Sequence, residues 1–207
     1  MVMGLSARTG WEKSDTWRLE LERRMCLSSR EDTVRGMFLN GTLEVVREVG
    51  GADLARQCLE ESGEPRFMDF FNYPVRMHTR MVATAMPALT AAYGDSEEAL
   101  RQLGQRVAHR FLRQGVGKVM LSLRPLSPRQ LQSTLPMAYR TTVSFGEYAV
   151  RWTGPRSGRF TLRRDFLPHP FHEGVMRTSL ELWGASAVRV SGRQTGGLDS
   201  ECDFWWQ

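Results

Sequence analysis

The sequence has few cysteines, almost no lysine and no long apolar run, and each shortage removes a class of protein. Its three cysteines (Cys26, Cys58 and Cys202) are widely spaced and form no CxxC pair, so neither a disulfide framework nor a zinc ribbon is expected. Reduced, inert thiols fit a cytoplasmic protein. No apolar stretch reaches the roughly 20 residues needed to span a bilayer. The first residues also lack the basic start and apolar stretch of a secretory signal, so none is expected. Lys13 and Lys118 are the only lysines, and the net charge is +5. The arginines alternate with acids, as in Glu20-Leu21-Glu22-Arg23-Arg24 and Arg163-Arg164-Asp165. That pattern reads as a solvated mixed surface, and no nucleic-acid partner is expected.

Catalytic motifs are missing too. There is no GxSxG elbow, no GxxxxGK[ST] phosphate loop and no HExxH pair. Gly115-Val116-Gly117 is too short for a dinucleotide loop, and no strand precedes it. His169, His172 and Glu173 are metal-ligating types at close spacing. They fall at a strand-to-helix junction, where the same residues suit a helix start, and no metal is assigned. His78 and His109 read as boundary residues of apolar helix faces. No enzyme is expected.

A chain of 207 residues is long enough for one well-buried core. Residues 1–33 are polar and lack a sustained period, so they read as a flexible or loosely docked extension. From Val34 to the C-terminus a single domain is expected. Met37, Phe38, Leu43, Val46 and Val49 predict a helix closed by Gly50-Gly51, with a short second helix around Leu54, Cys58 and Leu59. Pro74 opens a further helix to about Tyr93, which Pro87 is expected to kink or end. Asp95-Ser96-Glu97-Glu98 predicts a capping box for a helix reaching Gln114, with Gly115 beyond its end. Ser127-Pro128 predicts the start of one through Leu131, Leu135 and Ala138.

After Thr142 the period changes to two. Tyr148, Val150 and Trp152, then Phe160 and Leu162, predict a hairpin across Gly154–Gly158. A helix from about Phe171 to Trp183 and two more strands, Ala187–Val190 and Cys202–Gln207, complete the order. The fold class expected is α+β: a helical half, then a β-β-α-β-β antiparallel sheet half with helices on one side.

The stretches Gly36-Met37-Phe38-Leu39-Asn40-Gly41, Phe67 to Pro74, Leu135 to Thr142 and Trp152 to Gly158 resemble a paralogous family of unknown function found in myxobacteria. The likeness continues through Arg164 to Gly174 and covers nearly the whole chain beyond the extension. More distantly, the order of elements is similar to the haem-nitric-oxide/oxygen-binding (H-NOX) domain, the vinyl-reductase-type small-molecule-binding domains and the TRAPP-like trafficking subunits. The H-NOX resemblance places that family's iron-ligating histidine on Tyr139. Its propionate-holding motif falls on Trp152-Thr153-Gly154-Pro155-Arg156, where only Arg156 matches. Haem is therefore not expected.

The same resemblance implies a pocket without its haem. Phe38, Val107 and Phe111 would form one wall, Tyr139 and Trp152 the other, with Arg156 at the mouth. An acidic or amphiphilic small molecule would suit such a site. Two functions stay open: a non-catalytic small-molecule-binding or sensory module, or a dimeric protein-interaction module with a filled core. A homodimer, with Met77, Met81 and Met86 as its adaptable surface, belongs to the second.

Overall fold

The computed structural model describes residues 16–113 and 127–207. Among these residues, seven helical segments and six strands hold the framework. α1 (Thr16–Leu27), β1 (Thr33–Arg35), α2 (Gly36–Ser62), β2 (Asn72–Pro74), α3 (Val75–Tyr93) and α4 (Ser96–Arg113) form the helical half. After α5 (Pro128–Gln132) and α6 (Leu135–Thr142) come β3 (Glu147–Gly154), β4 (Ser157–Arg163), α7 (His169–Leu182), β5 (Arg189–Gln194) and β6 (Ser200–Trp205). The expected order of helices followed by β-β-α-β-β is present. The predicted Gly115 helix stop and the Gly115–Gly117 stretch lie outside the described residues.

The period of two decides the sheet. Phe160 and Leu162 of β4, with Cys202 and Phe204 of β6, point to one side and are buried. The four strands run antiparallel in the order β3-β4-β6-β5. Their other face is charged: Arg159 Nε donates to Asp203 Oδ1 at 2.6 Å, and Arg193 Nη1 to Asp203 Oδ2 at 2.8 Å. α7 lies across the apolar face, so Met176 and Leu180 complete that core.

A second core lies among α2, α3 and α4, and α7 joins the two by packing on α4 along most of its length. The approach is close because of two glycines. A Cβ on Gly104 would lie 2.0 Å from the Phe171 carbonyl oxygen, and one on Gly174 would lie 2.0 Å from that of Arg101. The backbones of α4 and α7 therefore touch directly.

Local signals hold at several ends. The Asp95 carboxylate accepts the Glu98 N–H at 2.8 Å, although the Glu98 side chain turns to Arg101 and Gln102 instead of closing the box. Ser127 and Gln130 form a complete capping box. Gly51, at φ 83°, kinks α2 where the double glycine was expected to end it.

Four expectations change. α3 runs unbroken through Pro87. A proline inside a helix costs about 3 kcal/mol, but Met81, Val82, Ala85, Met86 and Leu89 around it are all fully buried. At about 1.5–3 kcal/mol for each large side chain, their burial outweighs that cost. The same burial removes Met81 and Met86 from any docking surface. The helix expected after Ser127 is two segments, because Pro136 has no N–H for the Gln132 carbonyl.

The fourth change concerns the N-terminal segment. Residues 16–33 are built into the domain, unlike the loosely docked extension expected for 1–33. Leu21 is fully buried, and β1 pairs with β2 from Thr33. The Arg24 guanidinium, 1% exposed, donates to the carbonyls of Asp165 (2.9 Å) and Leu167 (2.8 Å) and to Gln194 Oε1 (2.9 Å). α1 buries only Leu21 and Arg24, so it carries no apolar stripe by which its sequence announces a packed helix.

Candidate ligand cavity

Where α4, α6 and α7 meet β1, a cavity of about 70 Å³ remains. Phe38 and Phe111 form part of its wall, their ring centroids 5.2 Å apart. Leu135, Tyr139, Phe171 and Val175 also line it. α7 contributes His172, Val175, Ser179 and Trp183, a spacing of three and four residues that puts one helical face on the cavity.

Its polar groups are linked. The His172 ring lies between Tyr139 and Asp165: Nδ1 is 2.8 Å from the Tyr139 hydroxyl, and Nε2 is 3.0 Å from Asp165 Oδ1. Asp165, as a carboxylate, accepts from Nε2–H, and Nδ1 faces the Tyr139 hydroxyl. Asp165 also accepts from the Tyr148 hydroxyl and the Leu167 N–H, both at 2.8 Å. Burial acts to raise the Asp165 carboxyl, but His172 and these donors outweigh it and hold the group below its ordinary value. Burial, reinforced by the Asp165 charge, pushes the Tyr139 hydroxyl well above the usual phenol range.

His78 also lines the cavity, with Nε2 2.8 Å from Thr42 Oγ1. Complete burial lowers its pKa to about 4, against the opposing pull of Asp165. The unfolded chain binds this proton below about 6.5, the folded chain only below about 4. The unfolded state thus holds more protons in that window, and stability falls as pH drops from 6.5 towards 4. The expected loss is about 3 kcal/mol, since each pH unit between the two values contributes about 1.36 kcal/mol. His78→Gln keeps a partner for Thr42 and does not titrate. Urea midpoints followed against pH should fall less steeply in this variant, and equal slopes would remove His78 as the cause.

Of the six residues expected to form a pocket, three meet in the cavity: Phe38, Phe111 and Tyr139. Val107 is buried in the helical core instead, and the next residue, Ala108, takes the wall position. Trp152 lies four residues along β3 from Tyr148, about 13 Å at strand rise. It packs edge-on to Phe204 and Trp206 under the Arg129 guanidinium. Arg156 is in the β3–β4 turn, where its carbonyl accepts the Trp206 N–H. No mouth cation comes from it.

Asp165, His172 and His78 were not in the expected pocket. The helix from about Phe171 to Trp183 was expected from the sequence, although no residue of it was placed in the pocket, and nothing local marks Asp165. His169 and Glu173 turn elsewhere: His169 Nδ1 is 2.9 Å from Glu173 Oε1, which also accepts the Gly192 N–H. Among the described residues, no group of three potential ligands gathers as a metal site.

The profile of a family described as "Protein of unknown function (DUF2378)" matches residues 28–207. The chain belongs to this family. No curated protein matches it. Among solved structures, this DUF2378 chain is similar to the Fe(II) unliganded H-NOX protein from K. algicida. That match has a TM-score of 0.64 and 11% identity, and it covers 84% of this chain and 96% of the other. An oxygen-binding H-NOX domain related to soluble guanylate cyclases, in its oxygen complex, matches with TM-score 0.62 and 10% identity over 84% and 95%. A point mutant of the T. tengcongensis H-NOX gives 0.63 and 11% over 84% and 97%. At such identity the likeness is one of fold: the DUF2378 chain has an H-NOX-like α+β architecture. Among the described residues, no helix is long and apolar enough to cross a membrane.

Proposed function

We propose that the chain is a non-catalytic sensory or small-molecule-binding module that takes a small, neutral, largely apolar ligand between its helical and sheet halves. The supporting observation is the cavity itself, an apolar space with a hydrogen-bonded Tyr139–His172–Asp165 chain on one side. Interiors are close-packed, so a void of this size at the junction of two halves is a feature of the site. It is about half the size of the engineered cavity of about 150 Å³ that admits benzene. An acidic ligand, expected while Arg156 stood at the mouth, is replaced by a neutral one, because the charged group beside the cavity is the Asp165 carboxylate.

Haem does not fit these residues. The cavity is far below the roughly 300 Å³ at which drug-sized sites begin. Tyr139 would have to ligate iron as phenolate, yet its hydroxyl is held by His172 and resists ionisation. Trp152 and Arg156, where propionates would be held, lie away from the cavity.

A second reading, a dimeric protein-interaction module, is favoured by one feature. Phe70 and Phe71 are 73% and 63% exposed, beside an exposed Met68. Large apolar side chains clustered on a loop mark contact surfaces more often than single ones. Native mass spectrometry with a visible spectrum of freshly purified protein separates the readings. A co-purifying small mass without a Soret band is the expected result. A clean dimer mass with no ligand supports the second reading. A Soret band that is lost in Tyr139→Phe overturns the exclusion of haem.

A further inference from the structure

Among the described residues, five buried side-chain polar atoms lack a hydrogen-bond partner, and three of these belong to one corner of the fold. Gln132 is fully buried, with neither Nε2 nor Oε1 paired. Trp183, at the end of α7, is 8% exposed and its indole N–H is likewise unpaired. Buried polar atoms in folded proteins are nearly always paired, so three together call for a partner.

The corner adjoins the cavity. Trp183 lines it and shares an apolar cluster with Leu112 and Leu131. α5 packs on α7, and Ser133 and Thr134 between α5 and α6 keep helical backbone angles. Gln132 therefore shares a face with Leu135 and Tyr139, three and seven residues on, and both of those line the cavity. Tyr139 and His172 line the space, as does Trp183, while Gln132 lies one helical turn before Leu135, just behind the lining residues.

We propose that Gln132 and Trp183 form a subsite for the carboxamide group of a small neutral ligand whose apolar part lies beside Leu135 and Leu112. The chemistry of the three atoms selects this group. A carboxamide oxygen accepts two hydrogen bonds, one from Gln132 Nε2–H and one from the Trp183 indole N–H. Its N–H donates to Gln132 Oε1. A carboxylate satisfies both donors but leaves Gln132 Oε1 without a proton, and it brings a second negative charge into a space already bordered by Asp165. An alcohol has the one donor and both acceptor positions, but on a single oxygen, which cannot lie in line with both ends of the Gln132 amide at once. The subsite rests on reading the cavity as a ligand site.

The test uses propanamide, propanoate and xenon with the full chain, followed by ¹H–¹⁵N NMR of the indole signals, with Trp183→Phe identifying the one that matters. Propanamide should move the Trp183 indole signal saturably, and propanoate should bind at least tenfold more weakly. Gln132→Leu removes the unpaired amide at similar volume. It should remain folded, melt higher than the parent and bind propanamide at least tenfold more weakly. If xenon perturbs the cavity methyl groups while propanamide leaves the Trp183 signal unmoved, the cavity stands and the carboxamide subsite is overturned. Unchanged propanamide binding by Gln132→Leu overturns it as well. If neither xenon nor propanamide binds, both the subsite and the ligand-site reading fall.

Discussion

Gly174→Ala is expected to destabilise the protein by about 3 kcal/mol, the upper end of the usual cost of overpacking. The added Cβ would fall 2.0 Å from the Arg101 carbonyl oxygen and 2.8 Å from the Gln105 nitrogen. Neither is the tip of a flexible side chain, so α4 and α7 must separate. α7 carries His172, Val175, Ser179 and Trp183, and the separation would misplace one wall of the cavity along with the sheet it covers. At about 2–4 °C per kcal/mol for a chain of this size, the melting temperature should fall by roughly 6–12 °C. The control is the same chemical change at Gly41, where the added Cβ meets only Val107 Cγ1, at 3.7 Å. There, helix propensity alone acts, and Gly41→Ala should raise stability by about 0.5–1 kcal/mol. Equal melting temperatures for the two variants would disprove direct backbone contact between α4 and α7.

Loss of Arg24 is the second large effect. Arg24→Ala leaves the Asp165 and Leu167 carbonyls without their buried donor and opens a void beneath α1. Each unpaired group costs about 1–3 kcal/mol. With the void included, the expected loss is about 4 kcal/mol, read as a lower denaturation midpoint in urea. Those two carbonyls flank Phe166 in the segment that carries Asp165, so the buried polar chain at the cavity should loosen too. A chain begun at Ser28, where the family match starts, lacks both Arg24 and Leu21. It should lose at least as much stability as the point variant. A fragment as stable as the full chain would make α1 an appendage after all.

The elements behind these effects differ in how plainly the sequence announces them. The hairpin of β3 and β4 was readable because Tyr148, Val150, Phe160 and Leu162 alternate with polar residues beside a Gly-Pro turn. α7 was expected as a helix from about Phe171 to Trp183, and the start of α5 was readable from the Ser127-Pro128 pair. α1 was not, because one leucine and one buried arginine make no period. The run through Pro87 was not either, since local propensity opposes a helix there and only burial on several sides overrides it.

The cavity divides in the same way. Phe38, Phe111 and Tyr139 were expected there from the H-NOX resemblance, and they meet because each lies on a helix that borders the cavity. Val107 and Ala108 differ by one residue, or about 100° of helix, a rotation that only packing against α2 and α7 resolves. Trp152 and Arg156 followed a motif correspondence that the strand register does not support.

By itself, then, the sequence determined the order of elements from α2 onward apart from the short β1–β2 pair, the inward face of β3 and β4, and most helix ends. Those follow from short-range spacing, capping and turn chemistry, which act within a few residues. The tertiary structure alone decided which charges are buried and which polar atoms lack partners. Arg24 meets Asp165 and Leu167 across more than a hundred residues, His172 links Tyr139 to Asp165, and Gln132 and Trp183 both keep unpaired polar atoms. Desolvation makes these groups consequential, and desolvation depends on how separate segments pack, which no local pattern encodes.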